Sequence, residues 1–73
     1  MNKARRKAIE EIEVQLETLA ERIGEIRDEE QEYLDNMPDS LHLRAELAWS
    51  AIESLDKATS SLEEAAISLL RLR

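Results

Sequence analysis

Carboxylates are the only chemistry-bearing side chains that this chain offers in quantity: 17 Asp and Glu among 73 residues, beside one histidine and no cysteine. Glu25-x-x-Asp28 and Glu32-x-x-Asp35 each set two acids one helical turn apart, a spacing at which paired carboxylates can share a magnesium ion. Such a site needs further oxygens converging on the same point. Glu10-Glu11 is followed by Val14 where a third acid would have to stand, and Glu29-Glu30 by Tyr33, so neither set closes. His42 has no second histidine or cysteine at ligand spacing, no serine is paired with a base, and a single glycine makes no phosphate-cradling loop. The chain therefore reads as a non-enzyme, with no cofactor and no metal. Its acids are those of solvated helix faces.

All-α, magnesium-dependent nucleotide pyrophosphatases combine such carboxylate pairs with a full EExxE set, which is incomplete here. The elements that carry the acids are nonetheless plainly helical. Ile9, Ile12, Leu16, Leu19, Ile23 and Ile26 alternate spacings of three and four, and the same count continues through Glu30, Tyr33 and Met37. This predicts a first helix from about Lys3 to about Asn36, roughly 50 Å long at ~1.5 Å per residue. Gly24 falls on its solvent side. The block Asp35-Asn36-Met37-Pro38-Asp39-Ser40 breaks the helix, since proline disfavours a helical Met37. Asn36, Asp39 and Ser40 offer side-chain oxygens to the helix ends. The turn spans about 36–40 and a second helix about 41–70.

That second helix carries a seven-residue echo, Ala-x-x-Ser-Leu at 51–55, 58–62 and 65–69. A heptad of small and branched residues holds one helix face against a neighbour over several turns. Leu41, Leu55, Leu62 and Leu69 form the centre of its apolar arc and Ile52 and Ala66 continue it. Trp49 and Leu70 extend one flank, and the alanine and serine repeats line the other. So wide an arc faces more than one neighbour. The expected fold is all-α, a single domain over 1–73: an antiparallel hairpin of two long helices that dimerises into a four-helix bundle.

Size argues the same way. A core in a chain this short rarely supplies more than about 3–5 kcal/mol without a staple or a partner, and with no cysteine there is no disulfide. The expected dimer or partner interface comprises Ile9, Ile12, Leu16, Leu19, Ile23, Ile26, Trp49, Ile52, Leu55, Leu62, Leu69 and Leu70. Lys3, Arg5, Arg6 and Lys7 meet Arg71 and Arg73 at one end of the hairpin, while Asp28, Glu29, Glu30, Glu32, Asp35 and Asp39 make an acidic tip. An antiparallel homodimer sets basic ends against acidic tips, and a parallel one stacks like charges. No apolar run is long enough to span a membrane, and the basic start is not followed by a signal-peptide core. A soluble, cytoplasmic protein of a bacterial host is expected.

Several residues admit a plain and a sharper reading. Glu30 stands where the stripe otherwise holds Ile or Leu, and it needs Arg44, His42 or water; a register-setting role outranks ligand binding. His42 beside the turn reads as a surface or capping residue. Tyr33 lies in the stripe, with its hydroxyl expected to reach solvent or a carboxylate of the tip. Trp49 reads as a self-association anchor before a foreign one. The basic run Lys3–Lys7 could touch phosphate, but a net charge of −7 repels a polyanion as a whole, so nucleic acid is disfavoured.

The stretch from Asp28 to Leu41, with its block DEEQEYLDNMP, followed by Ala45-Glu46 and Leu62-Glu63-Glu64-Ala65, resembles small uncharacterised helical-hairpin proteins of bacteriophages and other bacterial mobile elements. The resemblance implies a helical hairpin and a phage or prophage setting, and it transfers no activity, cofactor or site residue. Two functions follow. The first is a small acidic, self-associating adaptor or structural module that engages a protein partner. The alternative is a phage-encoded inhibitor of a host defence nuclease or CRISPR complex, acting as an acidic DNA mimic through the outer carboxylates Glu10, Glu11, Glu17, Glu21, Glu25, Asp28, Glu32 and Asp35.

Overall fold

Asn2 starts the first helix. Its backbone is extended, and its side-chain Oδ1 accepts a 2.8 Å hydrogen bond from the Arg5 amide, satisfying one of the donors that a helix N-terminus leaves free. The computed structural model describes residues 1–72, so Arg73 lies outside the described residues. Helix α1 runs Lys3–Asp35 and α2 runs His42–Leu70; no strand occurs among the described residues, and the fold is the all-α helical hairpin that the spacing predicts.

At the turn the capping differs from expectation. Asn36 serves the end of α1 as a donor: its backbone N–H and its side-chain Nδ2 both donate to the Glu32 carbonyl, at 3.1 and 2.9 Å. Met37 N–H then donates to Leu34 O, and Leu41 N–H to Pro38 O. The Asp39 and Ser40 side chains cap nothing; Leu41 is the N-cap of α2, and no side chain caps that helix. The turn closes on main-chain bonds, so the side-chain oxygens offered to α2 stay in solvent.

The resulting rod measures 59 × 14 × 11 Å. Two helices share one seam, and that seam is thin: among the described residues Ala20, Ala48 and Ile52 are the buried apolar ones, and no large side chain is fully enclosed. A compact protein of 8.4 kDa exposes about 4,600 Å², whereas this hairpin exposes 5859 Å². The surplus is therefore about 1,250 Å².

Candidate interaction surface

Heptad phase decides which side chains α1 gives to the seam. Ile9, Leu16, Ile23, Glu30 and Met37 are half-buried, as the stripe requires, but the second seam row is Glu13, Ala20, Arg27 and Leu34. The row Ile12, Leu19, Ile26 and Tyr33 stays exposed. The seam is thus rotated by one residue from the centre of the apolar arc. Long charged side chains permit this, because their stems lie against apolar surface while their heads reach the edge. Glu13 is only 6% exposed and is not left without a partner. No buried side-chain polar atom among the described residues lacks a hydrogen-bond partner. Gly24 flanks this rotated seam and is half-exposed rather than on the open solvent side.

On α2 the seam holds Leu41, Ala45, Ala48, Ile52, Leu55, Thr59, Leu62, Ala66 and Leu69, again at alternating four and three. Ala51, Ala58 and Ala65 form a half-buried flank, with Ser54, Ser61 and Ser68 exposed beyond it. Trp49, 64% exposed, and Leu70 lie on the other flank.

The hairpin's two broad faces are fixed by cross-helix geometry. Arg27 Nε donates to Asp56 Oδ1 at 3.1 Å, and Gln31 shares an open groove with Trp49, Ile52 and Glu53, so the tryptophan flank of α2 lies beside the Gly24–Gln31 flank of α1. The remaining flanks must share the opposite face. There Tyr33 and Arg44 line one groove near the turn, and the Ile12–Leu19–Ile26 row runs beside the alanine stripe. Of the twelve residues expected on an interface, Ile9, Leu16, Ile23, Ile52, Leu55, Leu62 and Leu69 line the hairpin's own seam. Ile12, Leu19 and Ile26 lie exposed on one face, with Trp49 and Leu70 on the other.

At the tip, Asp28, Glu29, Glu32, Asp35 and Asp39 are exposed and Glu30 is half-exposed. Glu30 forms no ion pair with Arg44 or His42; Gln31 Nε2 donates to Asp35 Oδ1, and Arg27 reaches Asp28 as well as Asp56. His42 is exposed. Among the described residues no three His, Asp or Glu side chains converge as a metal-ion site would require. No helix among those residues is long and apolar enough to cross a membrane. What the arrangement offers is packing: a row of branched side chains beside a stripe of small ones, about 32 Å long from Ile12 to Tyr33 at ~1.5 Å per residue. Sequence reasoning missed Glu13 and Arg27 as seam residues. The phase 13, 20, 27, 34, with Ala20 and Leu34 in it, was the available signal.

No family model, curated protein or solved structure matches the chain.

Proposed function

We propose that this protein is a small acidic protein-interaction module, an adaptor or structural piece of phage or prophage origin, that works in self-associated form. The observation that carries this is the exposed heptad row Ile12, Leu19, Ile26 and Tyr33 on a hairpin with almost no core of its own. An apolar patch of this extent marks an interaction site, since scattered apolar residues do not line up every seven positions. The area agrees: a standard-size interface takes about 800 Å² from each partner, less than the ~1,250 Å² that this rod exposes beyond a compact protein of its mass.

Sedimentation equilibrium from low micromolar to near-millimolar protein tests the proposal, with circular dichroism following helix content over the same range. A mass of two chains, falling toward one on dilution with loss of helix, is the expected result. A single-chain mass at every concentration, with cooperative melting independent of dilution, would refute self-association.

A further inference from the structure

Building on that self-association, we infer that the second copy packs antiparallel across the Ile12–Leu19–Ile26 face, α1 on α1, and leaves the Trp49 face open. Two geometries can bring this face against itself. If the hairpins point the same way, α1 of one copy crosses α2 of the other. If they point oppositely, α1 lies on α1 and the alanine stripe on the alanine stripe. Charge chooses between them. The first turn of α1 holds no acid, and Lys3, Arg5, Arg6 and Lys7 crowd an N-terminus whose dipole already repels cations. The opposite end of α1 holds Glu29, Glu30, Glu32 and Asp35. Hairpins pointing the same way would stack these like-charged ends, whereas opposed hairpins pair them.

The opposed arrangement also has a natural register. Leu19 is the middle residue of α1, so full overlap of the two rods sets Leu19 against Leu19 and Ile12 against Ile26. The same register levels the basic run 3–7 of one copy with residues 31–35 of the other along the rod, and it sets Arg5, which continues the exposed row toward the N-terminus, against Tyr33. An arginine over a tyrosine ring is a favourable end to an apolar row. On α2 the alanines Ala51, Ala58 and Ala65 let two backbones approach closely.

The chain lacks cysteine, so thiols can be introduced singly. Ile12→Cys and Ile26→Cys copies, one of them isotope-labelled, are mixed and treated with a short bis-maleimide that reaches across the ~8–10 Å between packed helices. The mixed Ile12→Cys/Ile26→Cys product should exceed either self-linked product at least tenfold. Residues 12 and 26 lie about 21 Å apart along a helix at ~1.5 Å per residue, so hairpins pointing the same way cannot give that product. In the associated protein Trp49 should be quenched by acrylamide nearly as readily as a free tryptophan side chain, since it is 64% exposed in the hairpin. Dominant self-linked products, no crosslink in a protein that sediments as a dimer, or a tryptophan that the quencher hardly reaches in the dimer would each overturn this geometry while leaving self-association standing. A single-chain mass would remove both.

Discussion

Leu19→Asn and Ile67→Asn make a matched pair that asks whether the exposed row is surface or interface. Leu19 is 43% exposed on the row and Ile67 is 53% exposed on the rear of α2, so in a lone hairpin the two substitutions have nearly equal standing. Surface changes of that kind stay within about 0.5 kcal/mol. In the associated protein they diverge. Enclosing a leucine is worth about 1.5–3 kcal/mol, and Leu19 has somewhat under half of that left to gain, roughly 1 kcal/mol per copy and 2 per dimer. An amide without a partner at the same point costs about 1–3 kcal/mol more. Leu19→Asn should therefore weaken association by roughly 3–5 kcal/mol, a loss of about 100- to 4,000-fold in affinity, while Ile67→Asn leaves it within threefold. Urea unfolding at several protein concentrations, with sedimentation alongside, reads both numbers. Equal effects of the two substitutions, or a Leu19→Asn protein that unfolds as the parent does at every concentration, would show that the row faces only water.

Gly24→Ala should stabilise the protein by about 0.5–1 kcal/mol, raising the thermal midpoint several degrees by circular dichroism, because an added Cβ meets nothing within 4 Å. Ile52→Ala should cost about 2–5 kcal/mol, and since Ile52 is one of the few buried side chains, helix content at low micromolar concentration should largely disappear. A double-mutant cycle on Arg27→Ala and Asp56→Ala should give a coupling below about 1 kcal/mol that fades with salt, as both side chains of this 3.1 Å pair are partly exposed. Asn2→Ala should speed amide exchange at Arg5 and through the first turn of α1 with little change in global stability, since it removes the N-cap bond at a fraying end.

The helices and their limits were legible because their signals are local. Alternating spacings of three and four from Ile9 onward admit no strand, and Pro38 forces the break that α1 reaches at Asp35. The turn was half legible: Asn36 does close α1, but as a donor, and Asp39 and Ser40 leave α2 uncapped. The choice of seam lay beyond local signals. The Ile9–Leu16–Ile23 row belongs to either candidate seam, and its partner row could be Ile12–Leu19–Ile26 or Glu13–Ala20–Arg27. Hydrophobicity favours the first, but a second helix can press against only two adjacent rows, and the structure selects the one in which Arg27 reaches Asp56.

That selection gives the exposed row its meaning. A heptad period keeps residues in line with a partner helix as two helices wind about each other; a straight helix facing water has no use for it, because at 3.6 residues per turn such a row drifts by about 20° every seven residues. Within the hairpin, the α1 share of the seam is already filled by the two half-buried rows. Ile12, Leu19, Ile26 and Tyr33 make a third row on the same helix with the same period, lying on the face where α2 repeats Ala51, Ala58 and Ala65 in step. Matched periods on two adjacent helices, both turned to one side, describe half of a second seam. In the arrangement we propose, the other half comes from a second copy running the other way, the orientation that the charge laid out along α1 favours.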